Sequence, residues 1–276
     1  MKLIPAAKPE IWKQEKGFIG MCEHIARCAA ICYNSTPKTG GEAVDFVKRL
    51  IKMGHGRALE FGTFRANATK LGATELENLC RGDYRYYDMT LNGGGWSIVT
   101  NLRFLIESDF TIKQIEFWSN KVAKENLEGD CEPRVTIHYP AISRAIADEF
   151  RTHTTLSTLM QSTRYVNVAL PDGNIEFIEP SWYSRVDEFQ KEDFRKALSI
   201  YGSYYIAATV NGLKRQEARD FLPLCVKTEM VQCGSLKAWE NLIRLRTAKD
   251  AHPDAQWMAE KVKSKINYIR HINNLQ

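Results

Sequence analysis

Three runs of apolar residues at helical spacing, about 186–211, 237–246 and 255–272, fill the last third of this chain, and the short alternating runs lie before them. That order restricts the fold more than any other feature. Further helices are expected over 18–33 and 42–53, the second with Val44, Val47, Leu50 and Ile51 on one side and Gly54 and Gly56 at its end. Strands are expected at 59–67, 97–100, 135–139 and 174–178, with a glycine-rich turn over 92–96. Residues 142–151 have helical periodicity, with Ile142, Ile146 and Phe150 on one face. Strands early and helices late indicate an α+β fold, a mixed sheet with long helices, in one domain over 1–276.

Composition narrows the function classes. The chain has 276 residues, 44% hydrophobic and 26% charged, enough apolar material for a sizeable core and too much for a disordered chain. A net charge of +5 without any Lys/Arg block argues against a nucleic-acid tail; a few arginines gathered in one anionic site account for it equally well. Cysteines number seven, without small-domain disulfide spacing, and Met1-Lys2-Leu3-Ile4-Pro5 lacks a signal peptide's apolar stretch. No apolar run approaches the ~20 residues of a membrane span. The expectation is a reduced, cytoplasmic protein away from membranes. Cys22, Cys28 and Cys32, with His24, suggest a metal at first sight. Their spacings of six and four fit a helix face, no Cys-x-x-Cys pair is present, and buried core cysteines are the expected reading.

Four places combine polar side chains with tight punctuation: His55-Gly-Arg-Ala-Leu-Glu60, Thr152 to Tyr165, Ala218-Arg-Asp-Phe-Leu-Pro223, and Asn241-Leu-Ile-Arg-Leu-Arg246 followed by His252-Pro-Asp-Ala-Gln256. The second is the oddest. RTHTTLSTLMQSTRY, residues 151–165, sets five threonines and two serines around one histidine and two arginines, at the end of an apolar helical run. Such hydroxyls either solvate a loop or line a pocket for a ligand rich in acceptor oxygens. Arg219 and Arg246 sit beside apolar residues, where arginine is rarely buried unpaired, and the guanidinium fork suits phosphate and imide edges.

In their order these pieces resemble the flavin-dependent thymidylate synthase family, over roughly residues 17–262. That family carries Arg-His-Arg, seven residues, then Ser-x-Arg-Tyr; here stand Thr152-His153-Thr154, seven residues, then Ser162-Thr163-Arg164-Tyr165. Its Gly-His and Leu-Glu-His segment is matched by Gly54-His55 and Leu59-Glu60-Phe61. Its Ala-Arg-x-x-Leu-Pro is matched by Ala218 to Pro223, and its Thr-Glu, Leu-Arg and Ala-Gln by Thr228-Glu229, Leu245-Arg246 and Ala255-Gln256. Val99-Thr-Asn-Leu-Arg103 resembles a segment of longer members. The resemblance implies an α+β homotetramer with shared active sites, which methylates dUMP to dTMP using methylenetetrahydrofolate, FAD and NADPH. Carried over residue by residue, Glu149, Ser162, Arg164, Arg219 and Arg246 fall on positions that contact dUMP. Arg246 falls on the catalytic arginine credited with ionising the uracil N3. Arg57, Glu60, His153 and Asn241 fall on or beside flavin positions.

The chain departs from the pattern at Thr152 and Thr154 in place of arginines, at Met160 in place of Glu or Gln, at Phe61 in place of histidine and at Ser235 in place of asparagine. Each charge-assisted contact there becomes a weaker neutral one. Arg151, one residue before the motif, is a candidate substitute cation for Thr152. Two further readings follow: a related enzyme modifying another pyrimidine nucleotide at C5, and a non-catalytic nucleotide-binding paralogue. A nucleic-acid binder using Arg81, Tyr84, Arg85, Tyr86 and Tyr87 ranks last, since stacking plus charge is all that supports it.

Overall fold

A computed structural model describes residues 1–81, 88–92, 95–128 and 132–273. Its centre is a four-stranded antiparallel sheet in the order β2 (Glu10–Trp12), β6 (Val135–Ser143), β9 (Lys227–Gly234), β7 (Ser157–Met160). Helices cover both faces. On one, Val135, Ile137, Tyr139 and Met230 pack against α7 (Arg144–Arg151), α10 (Leu236–Arg246) and α11 (Pro253–Ile272). On the other, Val231 and Cys233 share a core with Phe18, Cys22, Ile25 and Cys28 of α1 (Gly17–Ala30) and with Val47 of α2 (Gly40–Lys52). Gly62 lets this layer close, since a Cβ there would stand 2.6 Å from Ile25 Cδ1.

A three-stranded antiparallel sheet, β3 (Thr63–Asn67), β5 (Gly95–Asn101), β4 (Asp88–Asn92), joins that same core together with α4 (Ala73–Arg81), α5 (Leu102–Glu107) and α6 (Ile112–Glu125). The parallel pair β1 (Lys2–Ile4) and β8 (Glu176–Ile178) packs under α8 (Glu188–Val210), and an antiparallel bridge, Phe177 to Val226, ties it to the chain just before β9. The architecture is α+β, with parallel and antiparallel pairing both present.

Most expected elements form, with shifted ends. The 59–67 strand begins only at Thr63, because Gly56–Leu59 is a helical turn, α3. Ile142 belongs to β6 and not to the following helix. Ser143 is the N-cap of α7, accepting from the Ile146 amide, and the β6–β9 register shifts between Tyr139 and Ile142, where Pro140 has no N–H to give. The turn over 92–96 joins β4 to β5, with residues 93–94 outside the described ones. Tyr84, Arg85, Tyr86 and Tyr87, and the side chain of Arg81, also lie outside them. Strands β7 and β9 and helix α6 were not among the expected elements. β9 is buried on both faces and so lacks the alternation that betrays a strand.

Among the described residues no group of metal-capable side chains comes together, and no helix is long and apolar enough to cross a membrane. His24 is buried, with Nε2 3.0 Å from Thr136 Oγ1. Burial, and next the nearby Arg27, depress its pKa to about 4. Between pH ~6.5 and the folded value, an unfolded chain binds a proton that the folded one rejects, so stability falls as pH falls, by about 1.4 kcal/mol per unit. Urea midpoints measured from pH 7 down to 4.5 should drop more steeply in the wild type than in His24→Gln; equal slopes would contradict this account.

Candidate functional site

The hydroxyl-rich segment threads three groups of side chains. The first forms where α7 ends. Thr152 caps that helix, and its hydroxyl donates to the Glu149 carbonyl at 2.6 Å. Arg246, in the last turn of α10, reaches this end with its whole guanidinium. Nε donates to His153 Nε2 at 3.0 Å, Nη1 to Glu149 Oε2 at 2.9 Å, and Nη2 to the Glu149 carbonyl at 3.0 Å and to Thr152 Oγ1 at 3.1 Å. Nε and Nη2 have then spent their N–H groups, and Nη1 keeps one. Because Nε2 of His153 accepts, its ring proton sits on Nδ1. Burial, and secondarily the Arg246 charge, hold the His153 pKa below the usual imidazole value, so the ring stays neutral at pH 7.

The second group follows β7. The Ser162 amide donates to the Cys32 carbonyl at 3.0 Å, and the carbonyl of Ser162 accepts from Tyr165 and Val166 in a turn. That turn faces the short helix α9 (Arg215–Ala218) and Arg219 beyond it. Arg164 Nη2 is 3.5 Å from Gln216 Oε1, and Arg219 Nη1 is 3.4 Å from Thr163 Oγ1. Both contacts are long and to neutral oxygens, and among the described residues neither guanidinium has a carboxylate partner. Arg215 donates to the Tyr165 carbonyl, and a groove of about 710 Å³ runs along Arg164, Tyr165, Lys214, Arg215 and Gln216. Lys214, Arg215 and Gln216 carry no motif signal; only their nearness to Arg219 in the chain pointed to them.

The third group surrounds Glu60, whose side chain is 5% exposed. Its carboxylate accepts from Arg57 Nη1 at 3.0 Å, Arg103 Nη1 at 2.8 Å and Ser157 Oγ at 2.6 Å, and its carbonyl from Arg134 Nη2 at 3.1 Å. Glu60 is therefore an internal anchor that aims two arginines. Gly56 makes room for one of them: a Cβ there would stand 2.9 Å from Arg103 Nε. Arg57 and Arg103 keep further N–H groups at the surface, a donor set that fits the diphosphate of a dinucleotide cofactor. Arg103 and Ser157 were not foreseen as members of this group.

The remaining expected residues have other partners in this structure. Asn241 accepts from Arg244 and meets none of the three groups in a hydrogen bond. Glu229 holds His138 Nε2 at 2.6 Å, and Gln256 pins the turn after α10 through the carbonyls of Ala248, Lys249 and Ala251. Phe61 is fully buried in core, and Met160 is half-buried against the core that includes Phe150 of α7. Arg151 pairs with Asp148 at 2.9 Å, its side chain 57% exposed, and does not stand in for Thr152. Arg151→Ala is accordingly expected to shift stability by at most ~0.5 kcal/mol and leave nucleotide affinity unchanged, measured by thermal melts and calorimetry.

Comparison with known proteins comes in three parts. Residues 132–269 match the family described as thymidylate synthase complementing protein. No curated protein matches. Among solved structures, thymidylate synthase X from Helicobacter pylori, crystallised with FAD and dUMP, aligns at 18% identity and a TM-score of 0.38, over 51% of this chain and 70% of that one.

Proposed function

Since the chain belongs to the thymidylate synthase complementing protein family, we propose that it is a flavin-dependent thymidylate synthase, converting dUMP to dTMP with methylenetetrahydrofolate as carbon donor and NADPH as reductant. The observation that carries this reading is the meeting of Ser162, Arg164 and Arg219. Two guanidiniums whose hydrogen bonds are long and to neutral oxygens, Arg164 also lying over the Tyr165 ring at 5.3 Å, are ready to exchange those bonds for phosphate oxygens, which bind a planar cation fork more strongly. Ser162 accepts from the Arg164 amide at 3.3 Å, leaving its own proton to donate.

Arg246 supplies the other end. Its uncommitted Nη1 N–H can meet a pyrimidine carbonyl oxygen. A fixed cation there favours the anionic imide, lowering the N3 pKa and raising electron density at C5, the carbon to be alkylated. Arg57 and Arg103, aimed by Glu60, would hold the diphosphate of FAD. The flavin, when bound, supplies the hydride chemistry that reduces the transferred carbon. His153, neutral, holds the Nε edge of Arg246.

Thr152 and His153 at the end of α7, Ser157 at the start of β7 and Ser162 just beyond β7 bring one stretch of chain past all three groups. Strand rise puts Ser157 and Ser162 about 16 Å apart. We place the sites between subunits of a homotetramer, as the resemblance to flavin-dependent thymidylate synthases implies. Among the described residues the thiols of Cys22, Cys28, Cys32, Cys225 and Cys233 are free, which fits a reducing cytoplasm.

A second reading, C5 modification of another pyrimidine nucleotide, is favoured by the neutral Thr152 contact on Arg246. Reconstitution with FAD followed by product analysis on dUMP and dCMP side by side tests both. A yellow protein that forms dTMP is expected. Turnover of dCMP in preference to dUMP would favour the second reading, and a protein that binds dUMP but takes up no flavin would be a non-catalytic paralogue.

A further inference from the structure

We propose that Thr152 and His153 are positioning residues for Arg246, and that position 152 requires a hydrogen-bond acceptor, so that threonine there belongs to the design of this site and is not a missing cation. The inference rests on Arg246 being the group that faces the nucleotide.

The argument starts from the end of α7. The last carbonyls of a helix have no partner inside it. Here the Glu149 carbonyl takes the Thr152 hydroxyl at 2.6 Å and Arg246 Nη2 at 3.0 Å, so Arg246 acts as a cap from outside the helix. The same Nη2 also needs an acceptor at 3.1 Å, and Thr152 Oγ1 provides it while donating its own proton to Glu149. One hydroxyl in both roles closes the arrangement; a threonine can do this and an arginine cannot, having donors only. An arginine at 152 would remove the acceptor and set a like charge against Arg246. His153 completes the hold, because its unprotonated Nε2 fixes the Nε edge.

Held at Nε, Nη1 and Nη2 from residues 149–153, the guanidinium has little rotational freedom left before a substrate arrives. Its one spare N–H therefore points in a set direction, the kind of preorganisation that makes an electrostatic group effective.

The test uses the full chain with ¹⁵N-labelled arginine and histidine, without cofactor, and dUMP as the titrated ligand. Arg246→Lys assigns the Arg246 Nε–H signal by its loss. In the wild type that signal should exchange slowly, and His153 should carry its proton on Nδ1. Thr152→Ser should keep the signal and bind dUMP within about twofold of wild type. Thr152→Val should broaden the signal and bind about tenfold more weakly, and Thr152→Arg more weakly still. An unchanged signal with unchanged affinity in Thr152→Val overturns the proposal, as does tighter dUMP binding in Thr152→Arg. If wild type binds no dUMP, the substrate reading fails separately, and the Nε–H signal in the serine and valine variants still decides whether Thr152 positions Arg246.

Discussion

Arg246→Ala is expected to weaken dUMP binding thirtyfold or more. The side chain makes four hydrogen bonds in a half-buried place and offers its last N–H outward. Removing one partner of a desolvated charged contact typically costs ~2–5 kcal/mol, which corresponds to that loss or a greater one. The variant also strands the Glu149 carboxylate and the acceptor nitrogen of His153. With one of the two causes of its depressed pKa gone, His153 should titrate higher, toward the ordinary imidazole value. Arg246→Lys should fall between, since an ammonium keeps the charge but not the planar fork. Arg244→Ala, two residues earlier on the same helix and exposed, is the control, with changes of ~0.5 kcal/mol or less. Calorimetric titration decides. Unchanged affinity in a folded Arg246→Ala would remove this arginine from the nucleotide site, and the His153 titration would separately report whether the contact existed.

The second large effect concerns stability. Glu60→Ala takes a buried carboxylate from between Arg57, Arg103 and Ser157 and removes the acceptor their donors share. Breaking a buried pair from one side is destabilising by ~3–5 kcal/mol where the charge left behind is uncompensated, and Arg103 keeps Glu107 Oε1 on its Nε at 2.7 Å. Arg57 and Arg103 are partly exposed and can turn to water, which puts the expectation at the lower end. At roughly 2–4 °C per kcal/mol for a chain of this size, the melting temperature should fall about 6–12 °C. Glu60→Gln keeps an acceptor for Ser157 and should lose less. Both variants should release flavin more readily, since the arginines lose their aim. A melting temperature within 2 °C of wild type for Glu60→Ala would mean that the network contributes nothing to the fold.

The helices of the last third were legible from local pattern, and the structure places them at Glu188–Val210, Leu236–Arg246 and Pro253–Ile272. Their apolar periodicity is local, and so are the signals that start them: Asp187 and Gln190 form a capping box, and Pro253 opens α11. The spacing from His153 to Ser162 and the Arg219 and Arg246 motifs were legible in the same way, because each is a short pattern in one stretch of chain. What those residues touch was decided by tertiary structure alone. Glu60 and Ser157 are 97 residues apart, and Arg246 and His153 are 93 apart. Nothing in either neighbourhood encodes the partner. The pairing of β7 with β9 brings the hydroxyl-rich segment beside the sheet, and the packing of α10 and α7 on one face of that sheet delivers Arg246 to the end of α7. For the same reason the threonines of 152–154 read in sequence as lost charges. A hydroxyl's part as donor and acceptor depends on which groups surround it, and here the guanidinium it serves comes from the far end of the chain.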